Sequence, residues 1–146
     1  MAGRVVILAD DLIWADRLRR AAGTAAVEPT MTRSLPAFRD ALAALPGDPT
    51  APSAAIVDLT ARAYDGLAAI ETAHRAGVRV LAVGQHDDHA LRKQALAAGA
   101  ERVLAYQKLF ADGPATIAAF VGTATSTADG PAASATVGTA TGGDRG

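Results

Sequence analysis

The chain of 146 residues contains no cysteine, which excludes disulfides, thiolate metal sites and cysteine nucleophiles. No apolar run approaches the ~20 residues that a membrane-spanning helix needs. The first one, Val5-Val6-Ile7-Leu8, is too short for a signal-peptide core and is closed by Asp10 and Asp11. A soluble, cytoplasmic protein with no membrane partner is expected. Charge of one sign is also lacking: charged residues make up 20% of the chain and the formal net charge is -1. A broad nucleic-acid footprint needs a basic excess, so no direct nucleic-acid partner is expected, although a local basic patch stays open. A glycine-rich phosphate loop and a Gly-x-Ser-x-Gly elbow are both missing.

What is present is apolar sequence, half of the residues, in a chain long enough for one domain with a sizeable core. Short apolar runs alternate with longer helical patterns over residues 1–122. From 123 to 146 the composition is mostly Ala, Thr, Gly and Ser, with Val137 the one large aliphatic residue. Such a segment buries too little to offset its ordering entropy, and a disordered tail is expected there. Strands are expected at Arg4–Ala9, Ala25–Thr30, Ala54–Leu59, Val78–Val83 and Arg102–Tyr106. The runs Val5–Ala9, Ala54–Val57 and Val80–Val83 are nearly all apolar, as in strands covered on both faces. The second strand contains Glu28 and Pro29 and belongs at an edge, because proline cannot donate to a central ladder.

Helical spacing covers Leu12–Ala22 with Gly23 as a stop, Ser34–Leu45 with Ser34 as N-cap and Pro46-Gly47 after it, Gly66–Ala76, Asp88–Ala98 and Pro114–Val121. Five strand-then-helix repeats predict an α/β fold, a five-stranded parallel sheet with helices on both faces. Sites in such folds lie at the carboxyl ends of the strands. The first strand ends in Asp10-Asp11 and the third in Asp58. Two carboxylates ~4 Å apart repel by about 4 kcal/mol at an effective dielectric near 20, so converging acids call for a proton or a hard cation such as Mg²⁺. A carboxylate there can also form an acyl phosphate. The plainer reading makes Asp10 and Asp11 helix N-terminal residues and Asp58 a loop acid.

In this order and spacing, Asp10-Asp11 after Val5–Ala9, Asp58 after Ala55-Ile56-Val57, Asp65-Gly66, and Ala97-Ala98-Gly99-Ala100 before the last strand resemble the receiver domain of bacterial response regulators over residues 4–122. The resemblance implies a flavodoxin-like fold with strand order 2-1-3-4-5, which puts the Pro29 strand at an edge. It implies Asp58 as phospho-acceptor. Asp11, Asp58 and the Thr60 main-chain carbonyl would be Mg²⁺ ligands, with Asp10 acting through metal-bound water. A regulatory module, not an enzyme, follows, with a histidine kinase or phosphotransfer protein and a downstream signalling protein as partners.

The chain departs from the family at the readout residues. Gly84 stands where the family has Ser or Thr, and Tyr106 where it has the lysine that pairs with the phosphoryl group. Val103 matches the usual aromatic switch position. Lys108, in Lys108-Leu109-Phe110, is two residues late and serves only if a short insertion precedes it. Two outcomes stay open: phosphoryl transfer to Asp58 with altered signalling, or a pseudo-receiver that works through protein binding. Outside the family, a small flavodoxin-like ligand-binding domain fits, as does a scaffold dimerising through the last two helices and last strand. His86-Asp87-Asp88-His89 reads as helix capping rather than metal binding. Trp14, the single tryptophan, reads as packing, with gating of the acid pocket as the alternative. His74 reads as a surface residue, and Arg17, Arg19 and Arg20 as a solvated face.

Overall fold

In the computed structural model, residues 3–46, 52–85 and 87–128 are described, with backbone alone for Phe110 and 123–128. Ten elements alternate. They are β1 (Gly3–Leu8), α1 (Leu12–Thr24), β2 (Val27–Thr32), α2 (Leu35–Ala43), β3 (Ser53–Asp58), α3 (Gly66–Arg75), β4 (Arg79–Gly84), α4 (His89–Ala98), β5 (Arg102–Ala105) and α5 (Tyr106–Ala128). All four strand pairings are parallel, in the order β2-β1-β3-β4-β5. Pro29 lies on edge strand β2, opposite Val5.

The continuous apolar runs are explained by two cores. Along β1, Val5 and Ile7 face a layer with Leu18 and Ala22 of α1 and Ile117 and Phe120 of α5. Val6 and Leu8 face the opposite layer, with Phe38 and Leu42 of α2, Ile70 and Ala73 of α3 and Ala95 of α4. Alternate side chains of a strand point to opposite faces, so a doubly covered strand must be apolar at every position. Capping residues start four helices: Asp11, Ser34, Asp65 and Asp88 each accept amides of the first turn.

Several boundaries differ from the sequence expectations, among them β2, which runs from Val27 to Thr32 and not from Ala25 to Thr30. Helix α1 runs through Gly23, because the Ala25 amide still closes onto Ala21, and the chain reverses at Ala26 with φ 60°. Tyr106 opens α5 and is not part of β5. The backbone breaks at Asp112 (φ -138°, ψ 27°) just before Pro114, so the expected start at Pro114 marks the second segment of a kinked helix. The α5 backbone continues to Ala128, past the expected boundary at 122. The rest of the expected tail, with Val137, lies outside the described residues, as do Gly47 and His86.

At the far end of the sheet, Arg79 of β4 grips Glu101 with several guanidinium hydrogen bonds and donates to the Phe120 carbonyl at 3.2 Å. This arginine holds the Glu101 carboxyl below the usual carboxylate range, against a smaller opposing effect of burial. The turn after α4 needs glycine: Gly99 has φ 121°, and a Cβ there would stand 2.5 Å from His74 Cγ and 2.8 Å from His74 Cβ. Gly99→Ala is expected to cost at least about 2 kcal/mol, the positive φ alone costing roughly 1–2. His74→Ala should recover only part of it, since His74 Cβ and the strain remain. Denaturant unfolding of the single and double variants checks this; a near-neutral Gly99→Ala would contradict the packing described.

Candidate functional site

Asp58 is the last residue of β3, opposite Val83 of β4, and it is fully buried. Its Oδ1 accepts the Thr60 amide at 2.9 Å and the Thr60 hydroxyl at 2.8 Å. The tight turn after β3 makes this possible by folding Thr60 back over the strand end, as in an Asx-type turn. Asp58 Oδ2 is buried and has no hydrogen-bond partner among the described residues. Leaving a buried polar atom unpaired costs roughly 1–3 kcal/mol, more when it carries charge.

Two tyrosines surround this carboxylate. Tyr106 Oη lies 3.3 Å from Thr60 Oγ1. With the Thr60 proton directed at Asp58, the phenol must be the donor of that second bond. Tyr64 Oη donates to the main-chain carbonyls of Asp58 at 2.7 Å and Leu8 at 3.0 Å, tying the ends of β3 and β1 together. Both phenols are pushed far above their ordinary range, first by burial. For Tyr64 the Asp58 and Asp10 carboxylates add to this, and for Tyr106 the nearby Asp58 carboxylate does so, against an opposing effect of the Thr60 hydroxyl. Both act as neutral hydrogen-bond donors. The indole of Trp14 covers the site, stacked on Tyr106 with ring centroids 3.6 Å apart and planes inclined by 29°.

The remaining residues singled out from the sequence are placed as follows. Asp11 is the N-cap of α1, its Oδ1 accepting the amides of Ile13 at 2.8 Å and Trp14 at 3.1 Å. Asp10 is half-buried and lies 3.6 Å from the Arg33 guanidinium. Gly84 ends β4; a Cβ there would meet only Leu59 side-chain atoms at 3.7 Å, so neither crowding nor backbone conformation demands glycine. Lys108 is exposed on α5, and its ammonium pairs with Asp112 at 3.1 Å. Asp88 caps α4 through the Leu91 amide.

The structure therefore brings Asp58, Thr60 and Tyr106 into one hydrogen-bonded group, with Gly84 one side chain away across Leu59. Lys108 is turned to Asp112 and Asp11 to its own helix. Of the residues expected around Mg²⁺, Asp58 keeps Oδ2 without a hydrogen-bond partner, Asp10 and Asp58 both act on the Tyr64 phenol, and Asp11 holds its own helix start through Oδ1; among the described residues no three acidic or histidine side chains are grouped to hold a metal ion. The otherwise unpaired amides at the start of α1 engage Oδ1 of the Asp11 carboxylate. Tyr64 went unrecognised in the sequence, where its only signal is its position before Asp65-Gly66. The Trp14–Tyr106 stack was also missed as a pair, because the two residues are 92 positions apart and meet only once α1 and α5 pack together.

No family model and no curated protein matches the sequence. Solved structures do match. A response regulator receiver domain protein (CheY-like) from Methanospirillum hungatei has a TM-score of 0.70 at 17% identity, covering 85% of this chain and 97% of its own. The Francisella response regulator receiver domain has a TM-score of 0.67 at 12% identity, covering 86% and 98%. A Burkholderia pseudomallei response regulator, solved with a phosphorylated aspartic acid, a calcium ion and citrate, has a TM-score of 0.67 at 19% identity, covering 87% and 71%. At these identities the likeness is one of fold, and it is close over most of the chain: this protein has the flavodoxin-like receiver fold of response regulators.

Proposed function

We propose that this chain is a receiver-type regulatory module of two-component-type signalling, working through protein binding and not through phosphorylation of Asp58. The fold likeness supports the setting. The observation that carries the reading is the closed hydrogen-bond set, in which the buried Asp58 is held by Thr60, Thr60 by Tyr106, and Tyr106 is covered by Trp14.

A phospho-acceptor needs an exposed oxygen and fixed positive charge where the phosphoryl charge develops. Here the position of the family lysine is a neutral phenol, the family hydroxyl is replaced by Gly84, and Lys108 is paired elsewhere. Removing a single charge-stabilising donor typically slows such chemistry about 10²–10³-fold, and this site departs at two of them. The remaining roles proposed for the expected residues follow from their contacts. Asp58 and Thr60 close the sheet end, Asp11 sets the start of α1, and Asp10 balances Arg33.

A second reading is favoured by one specific observation, the partnerless Oδ2 of Asp58. A buried oxygen with no donor is an acceptor that a cation or a phosphoryl donor could use after Trp14 and Tyr106 move. Incubation of the full chain with acetyl phosphate and Mg²⁺, followed by intact mass measurement, separates the two readings. The expected outcome is no phosphoryl adduct above the level of Asp58→Asn. A stoichiometric adduct in the wild type that is absent in Asp58→Asn would establish the second reading instead.

The closed set also makes a stability prediction. Tyr106→Phe keeps the stack and loses the hydroxyl bond, and is expected to cost about 0.5–1.5 kcal/mol. In a Thr60→Val background the same substitution should cost markedly less, because its partner is already gone. Equal costs in both backgrounds, measured by urea unfolding, would show that the two hydroxyls do not interact.

A further inference from the structure

Helix α5 is two bodies joined at one break. The backbone leaves helical geometry at Asp112 (φ -138°, ψ 27°). Two residues later, Pro114 has no amide to donate to the carbonyl of residue 110, so the junction lacks that helical bond as well. Gly113, between them, lies close against α1: a Cβ there would stand 3.3 Å from Ala21 Cβ. Kinks concentrate at proline, and hinges are short junctions that absorb a backbone change. Asp112-Gly113-Pro114 has the features of both.

The two bodies are held unequally. Beyond the break, Ile117, Phe120 and Val121 are 0%, 3% and 3% exposed. Arg79 clamps that segment, lying 4.7 Å over the Phe120 ring and donating to the Phe120 carbonyl at 3.2 Å. Before the break, residues 106–111 make under about two turns, too few to hold as a helix alone. Their buried anchors are Tyr106 and Leu109, at 6% and 9% exposed. Tyr106 adds the hydroxyl contact to Thr60 at 3.3 Å and the stack on Trp14. Lys108 and Asp112 pair in solvent at 3.1 Å, which contributes little. Segments with few buried contacts open well below the free energy of global unfolding.

This short segment covers the Asp58 pocket. Tyr106, its first residue, meets Thr60, which in turn holds Asp58. Asp58 Oδ2 is buried there with no hydrogen-bond partner among the described residues. We propose that residues 106–111 are a lid on the Asp58 pocket, hinged at Asp112-Gly113 and latched by the Tyr106 hydroxyl on Thr60. Opening withdraws Tyr106 from Thr60 and from the Trp14 ring and gives Asp58 Oδ2 access to solvent, while the second segment stays packed. The lid goes beyond the protein-binding reading and does not depend on it.

The chain has no cysteine, so one introduced thiol reports on one position. Leu109→Cys probes the lid and Val121→Cys the anchored segment, each in the full chain. Both are treated with iodoacetamide over a range of urea below the unfolding midpoint, and modification is followed by intact mass. Leu109→Cys should react at least about a hundredfold faster than Val121→Cys. Its rate should be nearly flat in urea, because a local opening exposes little surface, whereas the Val121→Cys rate should climb with urea as global unfolding does. Adding Tyr106→Phe should speed the Leu109→Cys reaction by roughly 2–10-fold. Tyr106→Phe alone should likewise speed hydrogen exchange of the Thr60 amide, which is bonded to Asp58 in the closed pocket. Equal thiol rates with the same urea slope would show that α5 opens as one body and would overturn the lid. Modification of Leu109→Cys at the rate of an unfolded peptide would do so too, because position 109 would then be open already. Either rate unmoved by Tyr106→Phe would overturn the latch. The Thr60 measurement needs no thiol variant, and so it decides the latch even if Leu109→Cys fails to fold.

Discussion

The acceptance of two hydrogen bonds from Thr60 by Asp58 is the interaction on which the site depends. Asp58 ends β3, the central strand of a sheet whose two faces are both apolar. A carboxylate in that place is tolerable only with donors at hand, because low-dielectric surroundings penalise a bare charge. Two of those donors, the Thr60 amide and hydroxyl, come from the adjacent turn. That choice orders the rest: Thr60 folds back, Tyr106 turns inward at the start of α5 to donate to Thr60, and Trp14 closes over the phenol.

The kink of α5 is part of the same arrangement. Residues 106–111 form a first helical segment that takes in Tyr106, the last residue of the expected strand, and the break at Asp112 re-aims the helix before Pro114. This segment sets Tyr106 inside and Lys108 outside, where Asp112 neutralises it. A phenol in place of an ammonium changes the chemistry of the pocket. It supplies a hydrogen-bond donor without charge, and so can satisfy Thr60 but does little for a developing phosphoryl charge.

Much of the fold was legible in the sequence because the signals there are redundant. Apolar runs at Val5–Ala9, Ala54–Val57 and Val80–Val83, each bounded by turn or polar residues, have the pattern of strands covered on both sides, and Pro29 independently assigns β2 to an edge. The caps Ser34 and Asp88 were readable from residue type. The site was legible at the level of which strand ends matter, and not at the level of partners. Asp11 has the same signature whether it faces a cation or caps α1, and its capping of the Ile13 and Trp14 amides is visible only in the geometry. Tyr106 was read as a strand-end residue because helix α5 begins without a capping signal before it. The Trp14–Tyr106 stack depends on how α1 packs against α5, which no local pattern encodes.

Trp14 reports directly on the central claim that the Asp58 pocket is closed by its own hydroxyls and aromatic rings and is not a metal-dependent acceptor. It is the single tryptophan of the chain and lies on Tyr106. Its emission is to be followed in the full chain while Mg²⁺ is added, then beryllofluoride as a stand-in for an acyl phosphate on Asp58. The account predicts no saturable change at either step in a protein that remains folded by circular dichroism. A saturable Mg²⁺ response, with a second change on beryllofluoride that is lost in Asp58→Asn, would contradict it and make Asp58 a competent phospho-acceptor.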